Sequence, residues 1–297
     1  MISHRSAEAR AAVLLLAPGL LVITFLFLLP AAATFLLSLT DFDIYAFGDL
    51  DTVRVVGLAN YSKLLRDPLF WKALRNTFYL VLVGGPLTVA VALGAALLIE
   101  HPLARARSLF RTVYFAPVVT TLVAVAVVWQ ALYHPRYGLL NAALGAVGIP
   151  AVDWLGDPRW AMPAMILLGI WKNFGLATLV FIAALQSIPQ SLYEAARIDG
   201  AGALQRFRHV TFPLLGPALL FVSVLTMINY FQFFAEPYVM TRGGGPLNAT
   251  LSLTLHMYKE GFRWWNMGYA AAIAFVLFLL ILAATGLQMR WRGRATE

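Results

Sequence analysis

The sequence predicts an all-α integral membrane protein, a bundle of six spanning helices, on three observations. Of its 297 residues, 61% are hydrophobic and only 12% charged, with a mean hydropathy of +0.76, too apolar for a soluble domain of that length. Charge-free runs occupy 11–40, 76–99, 112–135, 210–235 and 264–289. As helices rising about 1.5 Å per residue, each crosses roughly 30 Å of hydrocarbon. A sixth run, about 160–187, is interrupted by Lys172, whose charge near mid-span costs about 2.5–3.5 kcal/mol on the insertion scale.

In order, the helices are expected at 12–39, 73–99, 108–132, 160–187, 211–235 and 265–289. The first follows Arg5 and Arg10 and so imitates a signal peptide, but its 30 uncharged residues exceed the usual apolar core of about 7–15. It reads as a retained helix, with Pro18 and Pro30 as the places for a bend. The segment from Asp41 to Arg75 is too polar for lipid and carries short apolar patches at 44–47 and 61–65; it is expected to fold over the outer mouth. Within the spans, Gly84-Gly85-Pro86 and Pro117 mark kinks or close packing, which survive in a membrane only where protein or water satisfies the displaced backbone groups. Tyr133, Tyr137, Trp154, Trp160, Tyr258, Trp264 and Trp265 sit near span ends, where amphipathic rings favour the headgroup layer.

Six helices put both termini on one side. Arg5, Arg10, Arg105, Arg107, Arg111, Arg197, Arg206, Arg208, Arg290, Arg292 and Arg294 gather in the N-terminus, the 100–111 turn, the 188–209 segment and the tail. The positive-inside rule assigns these to the cytoplasm. The segments 41–75, 136–159 and 236–263 hold most of the acids, Asp41 through Glu236, and face outward. This topology accounts for the net charge of +8 better than nucleic-acid binding does, since no soluble basic domain is present to carry it. The absence of cysteine excludes disulfides, thiolate metal sites and cysteine catalysis. No Gly-x-x-x-x-Gly-Lys-Ser/Thr loop occurs, the histidines lack zinc-protease spacing, there is no serine nucleophile elbow, and the acids at 41–51 do not follow a calcium-loop pattern. No catalytic or metal-binding residue is assigned.

The most informative stretch lies between the fourth and fifth spans. Gln190-Ser191-Leu192-Tyr193-Glu194-Ala195-Ala196-Arg197-Ile198 reads as a short amphipathic helix. Asp199-Gly200 is a stop signal, because glycine accepts the left-handed conformation that closes helices. Ala201 to His209 reads as a second, basic helix leading into Thr211-Phe212-Pro213. Such a hairpin either lies on the bilayer surface or docks into a soluble partner.

Glu194-Ala195-Ala196, Gly200 nine residues before His209-Val210, and Phe212-Pro213 resemble the EAA loop of binding-protein-dependent ABC importer permeases, with phenylalanine where the pattern commonly has leucine. Further segments resemble the maltose-type sugar-permease branch. They are Gly57-Leu58-Ala59-Asn60-Tyr61, Arg75-Asn76-Thr77, Ile170-Trp171-Lys172-Asn173-Phe174-Gly175, Leu185-Gln186-Ser187-Ile188-Pro189 and the run from Thr241 to Thr250.

The resemblance implies a six-helix ABC importer permease, residues 1–297 as one domain, with a cytoplasmic coupling hairpin at 190–209 and both termini cytoplasmic. It implies a bacterial cytoplasmic (inner) membrane protein that pairs with a second homologous permease, two ATP-binding subunits holding ATP and Mg, and an extracytoplasmic solute-binding protein. The chain itself then needs no cofactor. The expected cargo is a disaccharide or short oligosaccharide; the resemblance also extends to transporters for monosaccharides, sugar alcohols and glycerol-3-phosphate. Glu194, Ala195, Ala196, Asp199 and Gly200 would couple to the ATPase. Lys172 either lines the translocation route or serves the bundle, and Asn173 beside it supports a polar surface. Asn229, Tyr230, Phe231 and Gln232 combine amides with aromatic faces, which suits sugar hydroxyls and ring C–H faces but equally suits packing. Gly243, Gly244, Gly245 and Pro246 supply a turn that the family places against the binding protein or the outer gate. An ion-coupled secondary transporter is the alternative, though Lys172 is the one charge read inside the spans and no coupled carboxylate accompanies it.

Overall fold

In the computed structural model residues 2–49, 51, 53–101 and 107–293 are described; Arg105 and Arg294, counted toward the basic face, lie outside them. Among the described residues the regular structure is helical, apart from one isolated antiparallel bridge between Thr40 and Val55. Five helices are long and apolar enough to cross a membrane: Ala12–Ser38, Pro68–Glu100, Pro158–Gln186, Gly216–Met240 and Met267–Arg290. A bent pair, Thr112–Val119 with Leu122–Leu132, makes a sixth if it is one span.

The elements follow from local chemistry. α1 (Ile2–Ile23) continues through a π turn at Thr24–Leu28 into α2 (Leu29–Ser38). α3 (Ala59–Arg66) and α4 (Pro68–Tyr79) come next, and a second π turn at Leu80–Gly84 leads to α5 (Gly85–Glu100). Both π turns directly precede a helix with proline in its first two positions, Pro30 and Pro86. Proline lacks the N–H for the bond to residue i−4, and a widened turn absorbs the mismatch without breaking the span. The bends expected at Pro30 and at Gly84-Gly85-Pro86 are therefore taken up as π turns, whereas Pro18 lies inside α1.

The third span departs from the straight 108–132 helix expected. α6 (Arg107–Val119) and α7 (Leu122–Leu132) meet at 110°. Pro117 removes a donor inside α6, the Thr120 hydroxyl turns back to the Pro117 carbonyl at 2.7 Å, and Thr121 is extended. α8 (Leu139–Ala146) precedes α9 (Pro158–Gln186), whose N-cap Asp157 accepts from the Arg159 amide at 2.8 Å. α10 (Gln190–Ile198), α11 (Ala203–Arg206), a π turn at Phe207–Thr211 and α12 (Phe212–Leu214) lead to α13 (Gly216–Phe231). The expected second helix of the hairpin is thus a short α11 that winds directly into the next span.

α14 (Ala235–Met240) extends α13 after a brief break, and α15 (Leu253–Tyr258) and α16 (Met267–Gly293) complete the chain. Glu236, read as an acid of the outward segment, is buried in α14 within the Gly216–Met240 span. The Gln130 amide of α7 holds that helix by donating to the Val239 and Met240 carbonyls at 3.0 and 3.2 Å. Tyr133, expected at the interface, is also buried, with its hydroxyl on the Ala164 carbonyl at 2.7 Å; one available carbonyl outweighs the headgroup layer.

Two compact units are separable. Unit 1 is Met1–Asp67 with Met257–Phe278, and unit 2 is Pro68–His256 with Leu279–Glu297. In unit 1 the segment after α2 folds back on that helix: the Asn60 amide donates to the Ser38 and Thr40 carbonyls at 2.9 and 2.8 Å, and Tyr61 meets the Ser38 hydroxyl at 2.7 Å. Its acids cap turns, as where Asp43 accepts from the Tyr45 amide at 2.9 Å. In unit 2 the core joins α5, α9 and α13 through Ala92, Ala96, Ala177, Phe181, Ile182 and Val222. Alanines on the facing surfaces bring the backbones close, so that Thr178 reaches the Ala92 carbonyl at 3.3 Å.

Candidate functional site

Three places in unit 2 hold the residues singled out from the sequence. The first is the hairpin after α9. α10 ends because Gly200 adopts φ +76°, and the turn closes with Gly200 N–H on the Arg197 carbonyl at 3.0 Å and Ala201 N–H on the Ala196 carbonyl at 2.9 Å, the pattern of a left-handed C-cap. The Gln205 side chain accepts from the Gly202 amide at 2.8 Å and starts α11. Tyr193 ties α10 to the next span through the Thr211 hydroxyl at 2.9 Å. Glu194, Ala195 and Asp199 are exposed and Ala196 half-buried. Beside them Ile198 and Leu204 are 86% and 79% exposed, apolar side chains to which the sequence assigned no contact.

The second place is a cavity of about 450 Å³ whose lining includes Val118, Lys172, Asn173, Phe221, Thr226 and Asn229. The structure thus brings Lys172, Asn173 and Asn229 together from α9 and α13. The Asn173 amide donates to the Gly169 carbonyl at 2.8 Å. Tyr230 is not on this wall: it is buried, its ring lies in a slot beside Gly84 and Gly169, and its hydroxyl meets Thr88 at 2.9 Å. Phe231 is buried edge-on to Phe78 at 5.9 Å and lines a separate apolar cavity of about 590 Å³. Gln232 is exposed at the end of α13. Successive residues on a helix point about 100° apart, so a run of four cannot share one wall. Thr226, one turn before Asn229 and Tyr230, was legible from that spacing and was missed.

The third place is the loop from Thr241 to Leu251. Arg242, Gly243, Gly244, Leu247 and Asn248 all have positive φ, and the Gly245–Pro246 peptide is cis. Gly244 has φ +103°, and a Cβ there would lie 3.2 Å from Leu251, which explains glycine at that position. Gly243 and Gly244 donate to the Pro237 carbonyl at 3.2 and 3.3 Å, and Thr241 and Thr250 join hydroxyls at 2.7 Å across the base. α4 holds the outside of the loop. The Asn76 amide donates to the Asn248 and Leu251 carbonyls, both at 3.0 Å; Thr77 accepts from the Leu253 amide at 2.9 Å; and Lys72 donates to the Leu247 carbonyl at 2.5 Å. The Asn76-Thr77 pair and the glycine loop, two separate motifs in sequence, form one structure. Lys72, Arg75, Asn76, Tyr79, Arg159 and Leu247 frame a basic hollow of about 470 Å³ beside it; sequence order scattered these cations and hid it.

The family model described as binding-protein-dependent transport system inner membrane component matches residues 11–292. The lactose transport system permease protein LacF of Rhizobium radiobacter is 36% identical over 93% of this chain and 91% of its own. The trehalose/maltose transport system permease protein MalF of Thermococcus litoralis is 34% identical over 94% and 92%. A chain of a bacterial alginate ABC transporter, crystallised in complex with an alginate pentasaccharide-bound periplasmic protein, superposes with a TM-score of 0.78 at 20% identity over 99% of this chain and 98% of that one. That likeness shows the fold. The match along nearly the whole length, over the spans, the hairpin and the outer loop alike, establishes that this chain belongs to the binding-protein-dependent transport system inner membrane component family.

Proposed function

We propose that this chain is the transmembrane subunit of an ATP-driven sugar importer of the bacterial inner membrane, forming half of a translocation pathway that works by alternating access. A second homologous permease supplies the other half, two cytoplasmic subunits bind ATP with Mg and hydrolyse it, and an extracytoplasmic protein delivers the solute. The cargo is a disaccharide or short oligosaccharide. The observation that carries the reading is the hairpin at 190–209: a closed turn at Gly200 that presents Ile198 and Leu204 to solvent next to Glu194 and Asp199. Exposed apolar side chains rimmed by charge are the surface of a protein contact, and Tyr193 links that surface to the span that follows. Nucleotide shifts the transporter only by binding its two states unequally, and a stiff hairpin between two spans passes that difference on.

The cavity beside Asn173, Thr226 and Asn229 joins amides and a hydroxyl to an apolar wall, which matches the mixed surface of a sugar. The glycine loop, held by Asn76 and Thr77, is the element for the binding protein or the outer gate. The test is copurification with the products of neighbouring genes, then binding-protein-stimulated ATP hydrolysis in lipid nanodiscs over a sugar panel, for the native chain and Gly200→Pro. Proline cannot adopt positive φ, so the variant is expected to insert and assemble yet lose solute-dependent hydrolysis. Absence of an associated ATPase and of nucleotide-dependent uptake in the native assembly overturns the reading.

A further inference from the structure

We infer that Lys172 is a positioning residue that closes the break in the third span, and that its ammonium is not a contact for the solute. α6 stops at Val119 and the chain turns 110° into α7, so the last carbonyls of α6 lose their backbone amide partners one turn on, and of these the Pro117 carbonyl takes the Thr120 hydroxyl at 2.7 Å. In hydrocarbon no water stands ready to take them, and irregular backbone persists there only where protein satisfies it. The Lys172 ammonium, reaching across from α9, donates to the carbonyl oxygens of Pro117, of Val118 at 3.5 Å and of Thr120 at 2.6 Å. An ammonium has three donors and no acceptor; the Pro117 and Thr120 carbonyls take two of them closely and Val118 lies at the outer limit of a third, so the ammonium is directed at the backbone of the break. The charge also lies at the negative end of the α6 dipole, where a cation is favoured.

Two neighbouring features show that α6 and α9 are fitted to each other at this point. At Gly175, one turn beyond Lys172, an added Cβ would collide with the backbone carbonyl oxygen of Tyr114. The rings of Tyr114 and Phe174 meet at 5.2 Å. Val118 and Lys172 both belong to the wall of the 450 Å³ cavity, so the angle that Lys172 holds sets the shape of that wall. A charged side chain that sequence reading leaves between transport route and bundle is thereby assigned to the backbone of the neighbouring helix.

The chain has no native cysteine, so a spin label introduced at exposed Val113 on α6 and another at exposed Val128 on α7 report the break directly. Distance distributions are measured by pulsed electron paramagnetic resonance on the full chain in nanodiscs, without solute or nucleotide, so the result stands whether or not the importer reading does. The native background is expected to give one narrow peak. Lys172→Met is expected to shift or broaden it, and Lys172→Arg, which keeps charge and donors, to restore its centre. A native peak in Lys172→Met overturns the inference. If the Met variant does not insert, Lys172→Arg decides alone: a native centre upholds the cap, and a displaced one overturns it.

Discussion

Tyr230 shows how much one side chain carries in this bundle. Its side chain lies against Gly84 and Gly169, where an added Cβ would stand 2.8 Å from the ring and 2.9 Å from the hydroxyl oxygen respectively, and that hydroxyl meets Thr88 at 2.9 Å. The glycines are the slot and the tyrosine is its filling, so enlarging either glycine should cost about 1–3 kcal/mol of overpacking. Tyr230→Phe keeps the shape and removes the hydroxyl, a loss of about 0.6 kcal/mol by the average for hydrogen bonds between membrane helices. Thermal unfolding of the purified chain should rank Gly169→Ala below Tyr230→Phe and both below native; an unchanged midpoint in Gly169→Ala would refute the slot. Gly200 poses a different problem, because space is open around it and only its φ of +76° constrains it. There Ala should weaken the turn by about 1–2 kcal/mol, and Asn, which tolerates that conformation, by less.

Elements matter most where α4 braces the outer loop. Five residues of that loop hold positive φ, a backbone that persists only when its surroundings over-determine it. The Asn76 amide supplies two of the bonds that do so, and the Thr77 hydroxyl a third. Asn76→Leu leaves the Leu251 carbonyl at a buried site without that donor, a penalty of about 1–3 kcal/mol for an unsatisfied group, and leaves the Asn248 carbonyl with the Leu251 amide at 3.3 Å. The expected outcome is faster hydrogen exchange confined to 241–253 while α9 and α13 keep native protection. If exchange in the loop stays native, the brace is elsewhere.

On the scale of the whole molecule, the surface divides by use. The Ala12–Ser38 span is apolar and has no buried residue in its most apolar window, a surface suited to hydrocarbon. The hairpin instead exposes Ile198 and Leu204 on a polar segment. Replacing either by Asp leaves the bundle's packing untouched and should reduce retention of the ATPase about tenfold or more, as loss of one central interface anchor worth about 1.4 kcal/mol does. Equal retention of ATPase by Ile198→Asp, Leu204→Asp and the native complex would move the contact off this surface.

The sequence by itself determined the membrane class, the places of five spans, the left-handed turn at Gly200 and, through its motifs, the family. These properties are local: hydropathy, the absence of a Cβ and the missing proline N–H act within a few residues and do not wait for the chain to fold. Tertiary structure alone decided what depends on partners distant in sequence. Lys172 and Pro117 are 55 residues apart and Asn76 and Leu251 are 175 apart. Tyr230 is packing and Asn229 cavity wall because of where α5 and α9 lie, and Glu236 is buried because α14 continues the fifth span. Periodicity shows that a residue has a face; only the crossing of helices supplies what that face meets.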